Sequence, residues 1–366
     1  MAITYLSKIP KKKLTGTAIV RVDFNGGLFR LEKAINTFKY LEKYADKIVV
    51  IGHKGRPTLP LNKKEKEELS LEFETKNLSR LLGGKVIFLN SIKLSENGND
   101  IRRAPKKSII LLENLRFIKG EMENDEETGR ILASLGDYYV NEAFAASHRE
   151  NSSVCAMTKY IKSYAGFNFE EEIKNLSLVL KKAKKPIVLI FGGAKITSKT
   201  PVIMKFYNKA DNILIGGALA NTLLYLSGVK IGNSLAEKHV DSAVLRLLQM
   251  DKIHIPSDLR KSGNKILDIG PKTEVEFKNY IKGAKTIIWN GPIGMFEKKG
   301  FEIGTKSIAK VIADTKAFTV VGGGETIEAI RKFKLEKKYD FVSTGGGAML
   351  EFLAGDKLPG IKALEK

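Results

Sequence analysis

Residues 186–200 read PIVLIFGGAKITSKT, and the rest of the chain is interpreted around this stretch. It opens with an apolar, β-branched run of a length typical of a buried strand in a parallel sheet. Gly192 and Gly193 follow and allow a tight turn and a close approach of backbone to a ligand. Lys195 and Lys199 are spaced by one helical turn, so we expect both on one face at the start of the next helix. A strand, a glycine turn and cations at a helix N-terminus predict a phosphate site. An ordinary strand–helix turn with two solvated lysines is an equally open alternative.

The length and composition are typical of a globular protein with two domains. The 366 residues are about twice a typical domain, and no apolar run approaches the ~20 residues of a membrane span. Residues 1–13 lack the long apolar core of a secretory signal. The single cysteine, Cys155, excludes an intrachain disulfide and fits a reducing compartment. We therefore expect a cytoplasmic protein.

The chain is strongly basic, with 62 Lys and Arg against 41 Asp and Glu, a net charge of +21. Such a charge is compatible with nucleic acid, a membrane surface or anionic metabolites as partners. The basic clusters are scattered and mixed with acidic residues, as in KKEKEE at 63–68, and no basic tail stands out. We interpret most of this charge as solvated surface and do not expect nucleic-acid binding.

The first half alternates apolar strand-like runs with helix-like stretches, which favours a parallel α/β sheet. Ligands bind beyond the carboxyl ends of the strands in such sheets. Basic and polar side chains follow these runs: RVDFN at 21–25, HKGRP at 53–57, ENLRF at 113–117, and NEAF at 141–144 with SHR at 147–149. Because the arginine fork suits carboxylate and phosphate, these loops predict a cationic cup for a small polyanion if they share one edge. Alternatively, each arginine pairs with a carboxylate on the domain surface.

The second half repeats the strand–turn pattern with glycines in place of arginines. Its turns are GG at 192–193, GG at 216–217, NGPIG at 290–294, GGG at 322–324 and GGG at 345–347. They predict a backbone-lined site for a flat ring and a phosphate chain. The P-loop, the G-x-G-x-x-G fingerprint, zinc-ligand spacings and the G-x-S-x-G elbow are absent. The remaining residues suit phosphoryl transfer, which needs positioning and charge neutralisation rather than a covalent nucleophile.

Taken together, these motifs resemble those of phosphoglycerate kinases over nearly the whole chain. They are RVDFN at 21–25, GHKGRP at 52–57, LLENLRF at 111–117, YVNEAF at 139–144, SHR at 147–149, AGF at 165–167, GGAKITSK at 192–199, DIGPKT at 268–273, WNGPIGMFE at 289–297, GGGET at 322–326 and STGGGAMLEFL at 343–353. Each motif is weak alone, and their shared order carries the resemblance.

The resemblance implies an α/β fold of two lobes, each a parallel β-sheet flanked by helices in a Rossmann-like three-layer arrangement, joined by a helix and hinge. Residues 1–163 are expected to bind 3-phosphoglycerate or 1,3-bisphosphoglycerate, and residues 164–344 to bind ADP or ATP with Mg2+. Residues 345–366 are expected to pack back on the first lobe. The implied reaction is reversible in-line phosphoryl transfer on lobe closure, and the resemblance to relatives implies a monomer.

The resemblance also implies roles for matched residues of the glycerate site. Asp23 and Asn25 are expected at the hydroxyl and carboxylate end of the substrate. The basic cup around its phosphate consists of His53, Arg56, Arg116 and Arg149. The number of residues between Arg30 and His53 matches the family pattern, so Arg30 corresponds to the family's catalytic arginine. That arginine stabilises charge on the transferred phosphoryl group.

On the nucleotide side, Lys195 and Lys199 are expected to act on the phosphates as catalytic residues. The other implied nucleotide-binding residues are Gly193, Gly217, Asn290, Glu297, Gly322, Gly323, Gly324, Glu325 and Thr326. Gly345, Gly346 and Gly347 are expected to form a loop that contacts the transition state. Glu325 is the implied Mg2+ ligand.

Four departures from the family pattern affect these expectations, and none removes a residue of the basic cup. One is Glu150-Asn151 in place of the common Ala-His after the arginine. Glu325 stands where relatives have Asp, which makes metal placement the least direct inference because Mg2+ demands near-octahedral geometry. Gly26 and Gly27 replace the usual Val-Pro and predict a looser turn before Arg30. The segment between residues 257 and 265 is shorter than the corresponding segment in relatives.

Two other functions stay open at this point. One is a weakly active homologue that serves as a nucleotide- or RNA-binding protein, suggested by Glu325 and the +21 charge. The other is a kinase on the same scaffold that acts on another carboxylate. Retention of the arginines and of both lysines favours the active phosphoglycerate kinase.

Overall fold

The computed structural model describes residues 3–365, which form two compact units. Unit 1 contains the described residues up to Lys174 and from Asp356 onward, and unit 2 is Asn175–Gly355. Each unit contains a six-stranded parallel sheet with helices, so the predicted α/β fold is confirmed. The resemblance implies domain boundaries at 163/164 and 344/345, which differ from the limits of these two units and stay a prediction.

Unit 1 is built on a parallel sheet with helices between its strands. The strands are β1 (Thr17–Asp23), β2 (Lys47–His53), β3 (Val86–Leu89), β4 (Ile109–Leu112), β5 (Tyr138–Asn141) and β6 (Lys162–Ala165), in the order β3-β4-β2-β1-β5-β6. The helices are α1 (Gly27–Tyr44), α2 (Lys63–Leu69), α3 (Glu72–Leu82), α4 (Leu94–Arg103), α5 (Lys119–Glu123) and α6 (Glu126–Ala133). Helix α7 (Phe167–Lys182) follows β6.

The central strands of unit 1 are buried, and their register aligns their carboxyl ends. Ile19, Val49 and Val140 are completely buried, as expected for central parallel strands covered on both faces. Asp23 at the end of β1 pairs in register with His53 at the end of β2. Polar residues that follow these strands therefore lie at one edge of the sheet.

Unit 2 has the same architecture with an added hairpin. Its strands are β7 (Ile187–Phe191), β8 (Asn212–Ile215), β9 (Ile253–His254), β10 (Leu259–Ser262), β11 (Lys265–Ile269), β12 (Thr286–Asn290), β13 (Phe318–Gly322) and β14 (Phe341–Ser343). The parallel sheet has the order β14-β13-β12-β7-β8-β9, and β10 pairs with β11 in an antiparallel hairpin. The helices are α8 (Thr200–Phe206), α9 (Gly217–Leu226), α10 (Ser242–Leu247), α11 (Pro271–Gly283), α12 (Ile303–Ala313), α13 (Gly324–Lys332) and α14 (Gly347–Leu353).

The end of the chain packs within unit 1. The backbone N–H of Gly360, in α15 (Pro359–Lys362), donates to the carbonyl oxygen of Ser147 at 2.8 Å. Leu358 and Leu364 are buried, and Glu365 forms an antiparallel bridge with Ile3. Within residues 3–365, none of the helices combines the length and apolar content needed to cross a membrane.

The N-terminus of α7 is capped by a buried carboxyl group, that of Glu142. It accepts hydrogen bonds from the Thr37 hydroxyl and from the N–H groups of Asn168 and Phe169. Burial raises the pKa of Glu142 to about 8, even though these hydrogen bonds favour the charged form. A Cβ on Gly166 would collide with this carboxyl group, so the turn before α7 requires glycine.

We expect the Glu142 carboxyl group to make stability depend on pH. An acid whose pKa is higher in the folded chain contributes full stability below its unfolded pKa and loses it as the pH rises toward about 8. The stability of the natural chain relative to Glu142→Gln should therefore fall from about pH 5 to about pH 8, by up to about 1.4 kcal/mol per pH unit. Urea unfolding of both chains across this range measures the difference. A difference that stays constant with pH would contradict the buried titration.

Candidate active site

The carboxylate of Asp23 lies at the centre of the polar cluster beyond β1. Its Oδ1 accepts from the backbone N–H of Asn25 at 2.8 Å, and its Oδ2 accepts from the Arg30 guanidinium at 2.9 Å. Burial acts to raise the pKa of Asp23, but the charge of Arg30 and the other nearby cations outweigh it and hold the pKa well below its usual range. Asp23 is therefore ionised, and it holds Arg30 and Asn25 at one edge of the sheet.

Two glycines determine how Arg30 reaches Asp23. Helix α1 begins at Gly27, which has a φ of +56° and puts Arg30 in the first helical turn. A Cβ on Gly26 would lie 2.4 Å from the Cδ of Arg30. Because Gly26 has no side chain, the turn leaves a space that the Arg30 side chain fills.

His53, at the end of β2, lies against Arg21 of β1. Its Nδ1 is 2.7 Å from an Arg21 guanidinium nitrogen. Burial and the charge of Arg21 lower the pKa of His53 well below its ordinary value, against the opposite influence of Asp23. The side chain of Asn25 extends the cluster, since its Oδ1 accepts from the N–H of Gly55 at 2.6 Å.

Arg116 is the buried member of the predicted arginine set. It lies in the short helical turn Leu115–Phe117, is 2% exposed, and donates to the carbonyl oxygen of Gly55. Its other terminal nitrogen is buried and has no hydrogen-bond partner among residues 3–365. Burial and the charges of Arg149 and Arg21 lower its pKa to about 10. A buried cationic donor without an acceptor is costly, so this nitrogen favours an anionic ligand.

Arg149 and Arg56 complete the predicted cup at its less buried side. The Nε of Arg149 donates to the Nε2 of His148 at 3.1 Å. Burial and Arg149 lower the pKa of His148 to about 4, and the charge of Arg56 contributes to this shift. The side chain of Arg56 is exposed. The electrostatic effects of Arg149 on both Arg116 and His53 indicate that these groups belong to one cluster.

In unit 2, three glycine-containing turns pack directly on one another. The N–H of Gly193 donates to the carbonyl oxygen of Pro292 at 3.1 Å, and the N–H of Gly217 donates to that of Ile293 at 2.6 Å. A Cβ on Gly192 would lie 1.9 Å from the carbonyl oxygen of Pro292. This contact requires glycine, because the obstructing atom belongs to the backbone.

The positions of Lys195 and Lys199 correct one sequence expectation. Helix α8 begins at Thr200, so both lysines precede it and do not share a helical face. The reason is that the chain after the glycines forms turns, in which the N–H of Lys199 bonds to the carbonyl oxygen of Ile196 at 2.8 Å. Lys195 is exposed within this segment, whereas Lys199 is the residue directly before the helix.

Lys199 is tied to the ends of two neighbouring strands. Its Nζ donates to the Oδ1 of Asn290 at 2.5 Å, and the Nδ2 of Asn290 donates to the carbonyl oxygen of Gly322 at 3.0 Å. Burial lowers the pKa of Lys199 to about 8, against the opposite effect of Glu325. An anion bound at this ammonium group would favour its charged form.

The turn after β13 presents Glu325 beside the glycine turns. Gly323 has a φ of +97°, and the Oγ1 of Thr326 accepts from the N–H of Gly291 at 2.7 Å. Glu325 is exposed in the first turn of α13, and its Oε2 lies 3.7 Å from the position of a Cβ on Gly193. The described residues contain no cluster of three or more His, Cys, Asp or Glu side chains that could hold a metal.

A cavity of about 990 Å³ opens beside these turns. Four predicted site residues line it: Gly193, Gly217, Glu297 and Glu325. The other predicted residues of unit 2 do not line it: Lys195, Lys199, Asn290, Gly322, Gly323, Gly324, Thr326, Gly345, Gly346 and Gly347. Gly345 and Gly346 precede α14, and Gly347 is its first residue.

Sequence reasoning missed the apolar part of the cavity lining and one polar residue of unit 1. The apolar lining includes Leu235, Leu259 and Ile266, which come from a loop and from the β10–β11 hairpin. No motif marks them, since single apolar residues in short elements carry no local signal. Arg21 was quoted only as part of a motif, although a fully buried arginine inside an apolar strand is an unusual feature that could have identified it.

One parallel sheet whose strand ends carry a cluster of arginines, and a second whose strand ends carry glycine turns with nearby lysines and a cavity, are typical of an α/β phosphotransferase. The family model for phosphoglycerate kinase matches residues 12–356. The chain belongs to the phosphoglycerate kinase family.

Individual relatives support this assignment. The chain is 40% identical over 382 residues to phosphoglycerate kinase of Thermosipho africanus, covering 94% of both chains. It is 38% identical over 384 residues to that of a Wolbachia from Drosophila simulans, covering 95% of both. Among solved structures, phosphoglycerate kinase of Pyrococcus horikoshii superposes with a TM-score of 0.85 at 28% identity, covering 99% of this chain and 98% of that one. The enzyme of Coxiella burnetii gives 0.78 at 32% identity, covering 99% of both.

Proposed function

We propose that the chain catalyses reversible phosphoryl transfer between 1,3-bisphosphoglycerate and ADP, giving 3-phosphoglycerate and ATP. Membership of the phosphoglycerate kinase family supports this reaction. The observation that carries the substrate assignment is the unpartnered, buried guanidinium nitrogen of Arg116 within a cluster of cations. A group of this kind is stabilised by phosphate or carboxylate oxygens.

On the glycerate side, we assign the two ends of the substrate to different residues. Arg116, Arg149, His53 and the more exposed Arg56 bind its phosphate, because forked cations and a ring N–H match a tetrahedral dianion. Asp23 and Asn25 orient the hydroxyl and carboxylate end. Arg30 stabilises charge on the phosphoryl group as it is transferred. A preorganised cation contributes most to the rate when it acts on charge that develops in the transition state.

On the nucleotide side, the cavity of unit 2 accommodates the flat base, with Glu297 at the ribose. Lys199, Lys195 and Asn290 contact the phosphates, and the turns at Gly322–Thr326 and Gly345–Gly347 approach them by backbone. The desolvated ammonium of Lys199 supports this role, since its charge is favoured once phosphate binds. The lobe closure that the family resemblance implies stays a prediction, as do the cytoplasmic location and the monomeric state.

Mg2+ fits the residues present as a companion of the nucleotide rather than as a resident metal. Glu325 is the one predicted protein ligand, and residues 3–365 offer no preformed cage of three or more ligating side chains. Mg2+ commonly binds through one or two carboxylates together with nucleotide phosphates and water. When bound, it neutralises phosphate charge.

We expect Glu325→Asp to leave activity equal to that of the natural chain or higher. The shorter carboxylate restores the family's usual ligand, and the two side chains differ by one methylene. Steady-state rates with Mg2+ and with Mn2+ measure the effect, and Glu328→Asp on the exposed side of α13 is the matched control. A loss of more than about tenfold would show that the longer carboxylate is itself fitted to the site.

A coupled assay with ATP and 3-phosphoglycerate tests the proposed function directly. We expect turnover that requires both substrates and a divalent metal. Absence of turnover with either Mg2+ or Mn2+, while nucleotide binding persists, would favour the nucleotide- or RNA-binding homologue instead.

A further inference from the structure

The contact between Arg21 and His53 determines where the imidazole carries its proton. The Arg21 guanidinium lies 2.7 Å from the Nδ1 of His53. A guanidinium group has five N–H donors and no acceptor, and it does not lose a proton in proteins. Nδ1 must therefore be the acceptor, which leaves the proton of the neutral ring on Nε2.

Arg21 is itself held by a buried chain of hydrogen bonds. Its Nε donates to the Ser153 hydroxyl at 3.3 Å, and its third nitrogen donates to the carbonyl oxygen of Val22 at 2.6 Å. The Ser153 hydroxyl donates to Glu121 Oε1 at 2.6 Å, and the Ser153 N–H donates to Oε2 at 2.9 Å. Arg21 and Ser153 are 0% exposed and Glu121 is 1% exposed, so the guanidinium cannot rotate away without breaking several buried contacts.

The other nitrogen of His53 is left for a ligand. Within residues 3–365, no protein group accepts a hydrogen bond from Nε2 of His53. The charged groups that act on this ring are Arg21, Asp23, Arg116 and Arg149, three cations against one carboxylate. This surplus of positive charge opposes a second proton on the imidazole.

We propose that Arg21 is a positioning residue that holds His53 neutral with its proton on Nε2, so that the ring offers the substrate phosphate a hydrogen-bond donor and no charge. This inference rests on the proposed function for the identity of the ligand. Phosphate affinity then does not depend on protonation of His53 around neutral pH. The charge on the phosphate is balanced by the arginines alone.

His148 provides an internal contrast in the same cluster. Its Nε2 accepts from Arg149 at 3.1 Å, so the same reasoning puts its proton on Nδ1. Two histidines of one site are thus set to opposite tautomers, each by an arginine.

Nitrogen NMR of the ligand-free chain with 15N-labelled histidine tests the inference independently of turnover. The chain has 4 histidines, and His53→Gln and His148→Gln assign the signals of the two. From about pH 5.5 to about pH 8 we expect His53 to be protonated on Nε2 alone and His148 on Nδ1 alone. A His53 ring protonated on Nδ1, or on both nitrogens at neutral pH, would overturn the inference.

Substitutions of Arg21 test its part in this arrangement. In Arg21→Met we expect the pKa of His53 to rise and the KM for 3-phosphoglycerate to become dependent on pH below about 7, whereas Arg21→Lys, which keeps a donor, restores the Nε2 tautomer. An unchanged tautomer and pH profile in a folded Arg21→Met chain would contradict the role of Arg21.

If that variant does not fold, the wild-type spectrum still decides the tautomer. The predicted spectrum in a chain without turnover would overturn the proposed function and leave the positioning of His53 supported.

Discussion

Replacing Arg30 by alanine is expected to lower kcat by about 1,000-fold and to leave the KM for both substrates within about threefold. Arg30 lies in the first turn of α1 and is held by Asp23 at 2.9 Å, so its charge is preorganised. We propose that this charge acts on the phosphoryl group in flight. A contribution realised in the transition state appears in the rate rather than in affinity. Steady-state kinetics with each substrate varied separately measures both constants.

The control for this change is a cation on the same helix. Lys39 is exposed on α1, and Lys39→Ala is expected to leave kcat unchanged. A large rise in KM in Arg30→Ala with an unaltered kcat would assign Arg30 to substrate binding instead. Loss of Arg30 also removes the main charge that holds down the pKa of Asp23, so circular dichroism should confirm that the variant is folded.

Replacing Arg116 by methionine is expected to have the opposite kinetic signature. The KM for 3-phosphoglycerate should rise by about 100-fold, since a hydrogen bond from a buried cation contributes up to about 3 kcal/mol to binding an anion. The kcat at saturating substrate should change by less than about tenfold, because we assign Arg116 to the phosphate that is not transferred. Methionine retains the volume and removes the charge, so the buried position next to Gly55 stays filled.

The matched control is Arg103→Met at the exposed end of α4, which makes the same change in charge far from the proposed ligand contacts. We expect its kinetic constants to equal those of the natural chain. An unchanged KM in Arg116→Met would exclude the buried guanidinium from the substrate site. It would leave the unpartnered nitrogen of Arg116 without a function.

Much of the fold follows from local pattern. The apolar runs Ile109–Leu112 and Ile187–Phe191 form strands, because inner strands of a parallel sheet are covered on both faces and must be apolar on both. Strand β6 reads KSYA and was not predicted, since a short edge strand with polar residues has no strong pattern. The hairpin β10–β11 was missed for the same reason, with LRKS in its first strand.

The candidate site was predictable at strand ends and less so elsewhere. Asp23 and His53 were predicted because parallel strands bring their carboxyl ends to one edge, and the register confirms that these two residues are adjacent. The prediction that Lys195 and Lys199 share a helical face was wrong, because a spacing of four residues does not indicate where a helix begins. The apolar cavity lining depends on contacts between distant segments, which no local pattern encodes. Arg21 stands out as a charged residue inside an apolar run, but its contact with His53 of another strand does not follow from that pattern.

The central claim is that the transferred phosphoryl group is accepted by the carboxylate of 3-phosphoglycerate. Incubation with γ-32P-labelled ATP, 3-phosphoglycerate, Mg2+ and hydroxylamine tests it most directly, because hydroxylamine traps an acyl phosphate as a hydroxamate and releases labelled phosphate. We predict hydroxamate formation that requires 3-phosphoglycerate, with glycerate as a poor replacement, and that is nearly abolished in Arg30→Ala. Labelled phosphate released without hydroxamate, or equal hydroxamate from another carboxylate, would contradict the account.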